Sequence, residues 1–327
     1  MGFVMERQYI KDLKEGSIVR GRFVVKDKEP PKDYRNKDGK YFFIEVGDKT
    51  GSMNLRYWGG ADAEKVEKLY EDIGIGDVIS ITGIVGYDKF EDILVINLNE
   101  GMHVLKKCEL LDGEEEELLP KSKMDQKELM NEVVDAIASV KNKYIQNLLK
   151  EFFRDKEFIE KFKKSPESIA HNHNYISGTL EHVVSTIRIV NAIASFYKEL
   201  DRDILIAGAI LHDIGKICEY KYKTTIEATE EGKFLGHVFI GNLMLHEKIK
   251  SIEGFPKEIE MKLSHVIMTH HSNDELKSLK TAEACAIRFA VELDANVKEY
   301  IQAIEAGRAY GEEWVYNRGL GSSLYLK

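Results

Sequence analysis

The chain's ten histidines are unevenly spread over 327 residues: only His103 lies before position 171. The others fall, with aspartates, in a stretch that otherwise reads as apolar-faced helices. His182, the dipeptide His212-Asp213, His237, the pair His270-His271, and Asp294 stand out there. Imidazole and carboxylate side chains together suit divalent transition metals such as Mn, Fe, Co, Ni or Zn. A cluster of this kind implies metal-activated water, and metal-activated water implies hydrolysis. His212 and Asp213 are adjacent, so on a helix their side chains diverge by about 100°. Both can face one site only near a helix surface or end. Lys216 shares their face, and a lysine beside a metal centre could hold a phosphate oxygen. His103 and His246 read as surface or capping side chains, and His265 as structural.

Other chemistries lack their signatures. There is no HExxH of a zincin protease, no P-loop, and no Cys–His zinc-finger spacing. Cys108, Cys218 and Cys285 form no CxxC pair and are too sparse for a disulfide framework, so they are expected reduced and partly buried. A net charge of −9 and a pI near 5.7 argue against coating nucleic acid through bulk charge, but not against a local basic groove. No run of eighteen apolar residues suggests a membrane span, and the first residues mix charges instead of forming the apolar core of a signal peptide. A cytoplasmic location is the expectation.

The elements that must position these groups fall into two halves, as the chain's length leads one to expect. Residues 1–108 read as β. The run Val19–Val25 is followed by a break at Pro30-Pro31; Tyr41–Val46 is closed by a turn at Gly47–Gly51; Ser52–Trp58 is the next strand. The segment 61–70 has helical character, and Val78–Thr82 and Ile93–Ile96 complete five strands. Five short strands with a helix between the third and fourth match a small Greek-key barrel of the OB type. Residues 109–127, with the run Asp112-Gly-Glu-Glu-Glu-Glu117, read as a solvated acidic linker. Residues 128–327 read as helical. Ser177-Gly-Thr179 can cap a helix carrying Leu180, Val183, Val184, Ile187 and Val190, and Asp201 or Asp203 can cap a buried helix ending near Gly215. Further helices are expected around 237–249, 256–270 and 281–305. The expected fold class is α+β multidomain: an N-terminal five-stranded OB-type β-barrel followed by an all-α domain.

With those elements in place, His182, His212-Asp213 and Asp294 resemble the H…HD…D signature of the HD phosphohydrolase superfamily. The segments LEHVVS (180–185), ILHDIGK (210–216), LGHVFIG (235–241), THH (269–271) and ELDA (292–295) fall in that family's order. An OB domain ahead of an HD domain is similar, more narrowly, to the YhaM-type 3′→5′ exoribonucleases, as is the stretch Pro166–His182. The resemblance implies that His182, His212, Asp213 and Asp294 bind one metal and that Asp213 bridges to a second held by His237, His270 and His271. It implies divalent ions, Mn foremost with Mg, Co, Fe, Ni or Zn as alternatives; Asp213 and Lys216 are the expected catalytic residues. The chain departs from the family where a His-His pair is usual: it reads His171-Asn172-His173, which leaves the roles of both histidines open.

OB barrels bind single strands through basic grooves and aromatic platforms. The candidates are Arg22, Tyr34, Arg35, Tyr41, Arg56, Tyr57 and Trp58, with Arg20, Phe43 and Tyr87 beside them. The expected function is thus a metal-dependent 3′→5′ exoribonuclease acting on single-stranded RNA, or DNA, and releasing nucleoside 5′-monophosphates. The alternatives are an HD phosphohydrolase of nucleotides or cyclic dinucleotides, and a non-catalytic nucleic-acid-binding module. A homo-oligomer would gain from multivalent strand capture, and the tail 311–327 could pack on the core or on a neighbouring subunit.

Overall fold

The computed structural model describes residues 7–89, 93–271, 278–308, 313–317 and 319–327. The chain divides into two compact units, Met1–Pro120 with Lys223–Thr225, and Lys121–Tyr222 with Ile226–Lys327.

The first unit is a barrel of β1 (Ile18–Asp33), β2 (Lys40–Asp48), β3 (Gly51–Trp58), β4 (Val78–Asp88) and β5 (Ile93–Asn99), with α1 (Ala63–Asp72) between β3 and β4. The strands run β1-β2-β3-β5-β4, and β1 pairs with β4 to close the ring. One strand serves both ends because β1 is long: residues 18–24 pair with β4, and residues 24–33 with β2. Successive side chains on a strand point to opposite faces. Phe23, Phe42, Leu55, Ile79, Ile81, Ile96 and Leu98 therefore fill the interior, where burial of about 25 cal/mol per Å² of apolar surface drives closure. The Pro30-Pro31 pair does not break the strand. It falls where the β1–β2 register slips between Glu29 and Lys32, a place where a residue without N–H costs no ladder bond. A sixth strand, β6 (Val104–Cys108), adds to β4.

Part of the expected acidic linker folds onto the barrel. It carries the short α2 (Glu115–Leu118), and Leu118 is wholly buried against Val24 and Val78. Glu114 takes hydrogen bonds from Arg22 Nε and Nη2, both at 2.8 Å, and Glu117 takes one from Tyr9 Oη at 2.6 Å and one from Lys49 Nζ at 3.0 Å. The four-glutamate run looks uniformly solvated in sequence, but its partners lie 92 and 108 residues away.

The second unit is helical: α3 (Gln126–Ser139), α4 (Lys143–Arg154), α5 (Lys156–Lys164), α6 (Gly178–Phe196), α7 (Arg202–Leu211), α8 (Lys216–Glu219), α9 (Glu230–Lys250), α10 (Lys257–Thr269) and α11 (Ala282–Gly307). Two small hairpins, β7–β8 (Tyr220–Tyr222, Ile226–Ala228) and β9–β10 (Trp314–Asn317, Ser322–Tyr325), complete it. Asp201 caps α7, accepting from the backbone N–H of Asp203 and Ile204, and every residue from Ile204 to Leu211 is buried. This central helix is enclosed by Leu148, Leu180, Val184, Val266 and Ile287 in one core. Ser177 does not cap α6: it adopts the left-handed conformation (φ 69°), and its hydroxyl accepts instead from Gln126 Nε2 at 2.9 Å. In the tail, Leu324 and Leu326 are buried within this unit. Among the described residues, no helix is long and apolar enough to cross a membrane.

Burial alone would raise the Glu114 carboxyl, but Arg22 and the Leu111 N–H outweigh it and hold it below its ordinary 4.5. A folded-state value below the unfolded one gives stability that is present above about pH 4.5 and lost as pH falls through the lower folded value. Glu114→Gln should therefore destabilise the barrel by roughly 1–2 kcal/mol at pH 7, as for hydrogen bonds to a charged group in a partly exposed pair. Denaturant unfolding followed by Trp58 fluorescence in a Trp314→Phe background should show that gap closing toward acid.

Candidate functional site

α7 delivers His212 and Asp213 to its C-terminal end, in the turn before α8, where both are completely buried. A turn, rather than mid-helix, lets adjacent side chains converge. Four other helices bring the remaining groups: α6 carries His182, α9 His237, α10 ends at His270-His271, and α11 carries Asp294. Two glycines make the approach of α9 possible. Gly236 has φ +69°, breaking the helix just before His237. At Gly215, a Cβ would lie 2.0 Å from His237 O and 2.7 Å from Gly241 N, so only glycine lets this backbone reach the Asp213 turn.

Asp213 is the hub. Its Oδ2 lies 3.1 Å from His212 Nε2, 3.9 Å from His182 Nε2 and 3.3 Å from Lys216 Nζ. Its Oδ1 lies 3.2 Å from His270 Nε2 and 3.4 Å from His237 Nε2. Ligand-type atoms of Asp213, His237, His270 and His271 fall within 4.8 Å of one another, as do those of His182, His212 and Asp213.

The opposite nitrogens show which way each ring points. His212 Nδ1 lies 2.9 Å from Ala209 O, and His270 Nδ1 2.8 Å from Ile267 O. A carbonyl only accepts, so each Nδ1 carries the hydrogen and each Nε2 presents a lone pair to the carboxylate. His182 Nδ1 lies 2.6 Å from Asp294 Oδ2, with the same consequence, and His237 Nδ1 lies 3.0 Å from Glu219 Oε2, an acidic oxygen on the side away from Asp213. Lone pairs thus face lone pairs around Asp213. His182 Nε2, His212 Nε2, His237 Nε2 and Asp213 Oδ2 are buried with no hydrogen-bond partner. Buried polar atoms are rarely left so. Divalent cations between them would satisfy every one, so this donor set fits a metal centre.

The electrostatics agree. Burial lowers the His212 imidazole, and it lowers the His270 imidazole to about 4. Burial pushes the Asp213 carboxyl up, but the opposing charge of the Lys216 ammonium leads the effects that hold it well below its usual range. Neutral imidazoles around an ionised carboxylate are the forms that bind cations. Burial likewise works against charge on Lys216, and Asp213 and Glu167 overcome it, so the ammonium persists. A cavity of about 280 Å³ opens beside these groups, lined by Glu167, His182, Lys216, Tyr220, His237 and His271 among others.

The structure also adds residues and moves others. Glu167, 3% exposed, pairs with Lys216, and Glu219 orients His237. Glu167 sits within the Pro166–His182 stretch, but nothing in its spacing marks it. Asp294 lies elsewhere than expected: its Oδ2 is on the Nδ1 side of His182, grouped with His173 and not with His212 and Asp213. His171 is exposed beside Glu299. His103 Nδ1 accepts from Asn99 N, His246 pairs with Glu260, and His265 Nε2 accepts from Lys280 N. The three cysteines are unpaired and half-buried.

On the barrel, strand parity sorts the aromatic candidates. Tyr41 and Phe43 on β2 lie opposite Trp58 and Arg56 on β3 and share one face. With Tyr34 they form a half-buried aromatic cluster: Tyr41 lies 5.1 Å from Tyr34 and 5.4 Å from Trp58 between ring centroids. Lys37 sits 3.9 Å over Tyr34, and Arg56, 5.3 Å over Phe43, also pairs with Asp88. Arg35 is exposed in the adjoining loop. Two candidates lie elsewhere. Tyr57 has the other parity and is buried in the core, stacked 5.0 Å from Phe42. Arg22 is committed to Glu114.

Residues 179–297 match the family model described as HD domain, and residues 18–100 the one described as OB-fold nucleic acid binding domain. The helical half of the chain is thus similar to the HD domain, and the barrel ahead of it to the OB-fold domain. Along nearly its whole length it is similar to proteins named 3′-5′ exoribonuclease YhaM. The relative from Shouchella clausii is 28% identical over 90% of this chain and 89% of its own, and that from Bacillus subtilis is 28% identical over 82% of each. The Bacillus velezensis relative is 29% identical, again over 82% of each.

A side chain at position 215 should push α9 and His237 away from Asp213. Gly215→Ala is expected to destabilise the helical unit by about 2 kcal/mol or more and to weaken Mn²⁺ binding measured by titration calorimetry. Unchanged affinity would remove Gly215 from this role.

Proposed function

We propose that the protein is a metal-dependent 3′→5′ exoribonuclease of the cytoplasm. It hydrolyses phosphodiester bonds of single-stranded RNA, with single-stranded DNA as a second substrate, and releases nucleoside 5′-monophosphates. The observation that carries this reading is the near-full-length similarity to the YhaM exoribonucleases, spanning both domains. The unpaired lone pairs around Asp213 support it.

His182, His212 and Asp213 would hold one divalent ion, and Asp213, His237, His270 and His271 another. Bound ions, Mn foremost, would supply Lewis-acid activation of water and neutralise charge on the phosphate. Asp213 presents one oxygen to each group and fixes their spacing. Lys216, held charged 3.3 Å from Asp213 Oδ2, offers its ammonium to a non-bridging phosphate oxygen as negative charge develops there. Water adds to phosphorus, the P–O3′ bond breaks, and O3′ takes up a proton to become the new strand end. Tyr34, Tyr41, Phe43 and Trp58 would stack bases, a mode of binding that tolerates any sequence.

With 5′-labelled single-stranded RNA and a panel of divalent ions, a ladder shortening from the 3′ end is expected. An intact strand, with cyclic dinucleotides cleaved instead, would reject the proposal. Asp213→Ala should abolish hydrolysis while leaving strand binding largely intact. Trp58→Ala should weaken strand binding by about 1–3 kcal/mol, seen as a raised KM with little change in kcat.

A further inference from the structure

Behind His182 a buried chain of polar side chains runs away from the cavity. Asp294 Oδ2 lies 2.6 Å from His182 Nδ1 and 2.8 Å from His173 Nε2, so one carboxylate oxygen receives both rings. His173 Nδ1 lies 3.0 Å from Tyr175 Oη, and Tyr175 Oη donates to Glu181 Oε2 at 2.9 Å. Glu181 is held by Ser122 Oγ at 2.5 Å and by Lys298 Nζ at 2.6 Å. His173 and His182 are 1% exposed, Glu181 5% and Tyr175 8%. Unlike the atoms around Asp213, the two rings meet Asp294 as donor to acceptor, ring N–H to carboxylate oxygen, at direct hydrogen-bond distance. The trio His173, His182 and Asp294 is therefore satisfied as it stands, and a cation is not required among them.

The backbone gives an independent observation. His173 has φ 49°, in the left-handed region that a side chain with a Cβ rarely adopts. Such strain persists only where surrounding contacts over-determine it. Here they do. Gln302 Oε1 accepts from His173 N at 2.8 Å, Gln302 Nε2 donates to Asn174 Oδ1 at 2.8 Å, and His173 O accepts from Tyr175 N at 2.8 Å. Gln302 and Asp294 both belong to α11. One helix therefore holds the strained residue and receives its ring.

We infer that His173 is a positioning residue for the metal-binding reaction centre: through Asp294 it fixes the ring orientation of His182, and Tyr175, Glu181 and Lys298 brace it from behind. The inference rests on the metal reading above and assigns Asp294 to orientation of a ligand rather than to the ion itself. Partners standing behind a ligating histidine typically govern 10–100-fold in metal affinity. Only the ion on the His182 side of Asp213 is affected, because the His237 side has its own support in Glu219.

The test is Mn²⁺ titration of the full-length protein by calorimetry, with the electron paramagnetic resonance of bound Mn²⁺ as the spectroscopic readout. The wild type should bind at two sites. In His173→Ala one site should weaken by about 10–100-fold and the other should keep its affinity. Tyr175→Phe, which keeps the buried ring and removes one hydrogen bond, should weaken the same site by a smaller factor, with the melting temperature of the metal-free protein nearly unchanged. Wild-type affinity at both sites in both variants overturns the inference and leaves the metal reading standing. Equal loss at both sites overturns it as well, since that marks general loosening of the fold. A wild type that binds no Mn²⁺, Co²⁺ or Zn²⁺ overturns the metal reading and this inference together.

Discussion

A fully buried carboxylate ringed by imidazoles that cannot donate to it governs the helical domain. Asp213 sits at 0% exposure, and the His212, His270 and His182 nitrogens facing it carry lone pairs because their opposite nitrogens are spent on Ala209 O, Ile267 O and Asp294. Among the described residues, Lys216 is the one ammonium against this carboxylate, and it is shared with Glu167. Burying such a charge without full compensation is costly. The arrangement is therefore tolerable as a cation receptor and poor as a purely structural core. Five helices converge on this turn, and their apolar faces supply the stability that lets it persist.

The two domains solve different problems with different periodicities. In the barrel, a period of two divides each strand into a core face and an outer face, so Phe42 and Tyr57 pack inside while Tyr41, Phe43 and Trp58 gather outside. In the helical unit, a wholly apolar α7 is enclosed so that its end, not its face, is the working surface. Binding spread over a sheet face suits a polymer of varying sequence, whereas hydrolysis needs a single dry point where charge is strong.

Much of this was legible before any coordinates. The five strands, the intervening helix and the change to helical periodicity near residue 128 follow from local pattern, and the barrel and helical domain are as expected. The parity of Leu55-Arg56-Tyr57-Trp58 is legible too: a period of two sets Tyr57 with Leu55 in the core, apart from the other strand-binding candidates. Other features lacked a local signal. Proline chemistry suggests a break at residues 30–31, but a slipped register absorbs it. Four consecutive glutamates suggest water, but Leu118 and distant cations draw them onto the barrel.

The sequence by itself determined which chemical groups exist and in what order: the histidines, Asp213, Lys216, Asp294 and the aromatic residues of the barrel. Local spacing also set the helices and strands that carry them. Only the tertiary structure decided which nitrogen of each ring faces Asp213, that Asp294 stands behind His182, and that Glu167, Glu219 and His173 belong to the centre. The reason is one of range. Periodicity is set by neighbours a few residues apart, whereas a ring's tautomer is fixed by whichever atom meets its far nitrogen, and Asp294 lies 112 residues from the histidine it orients.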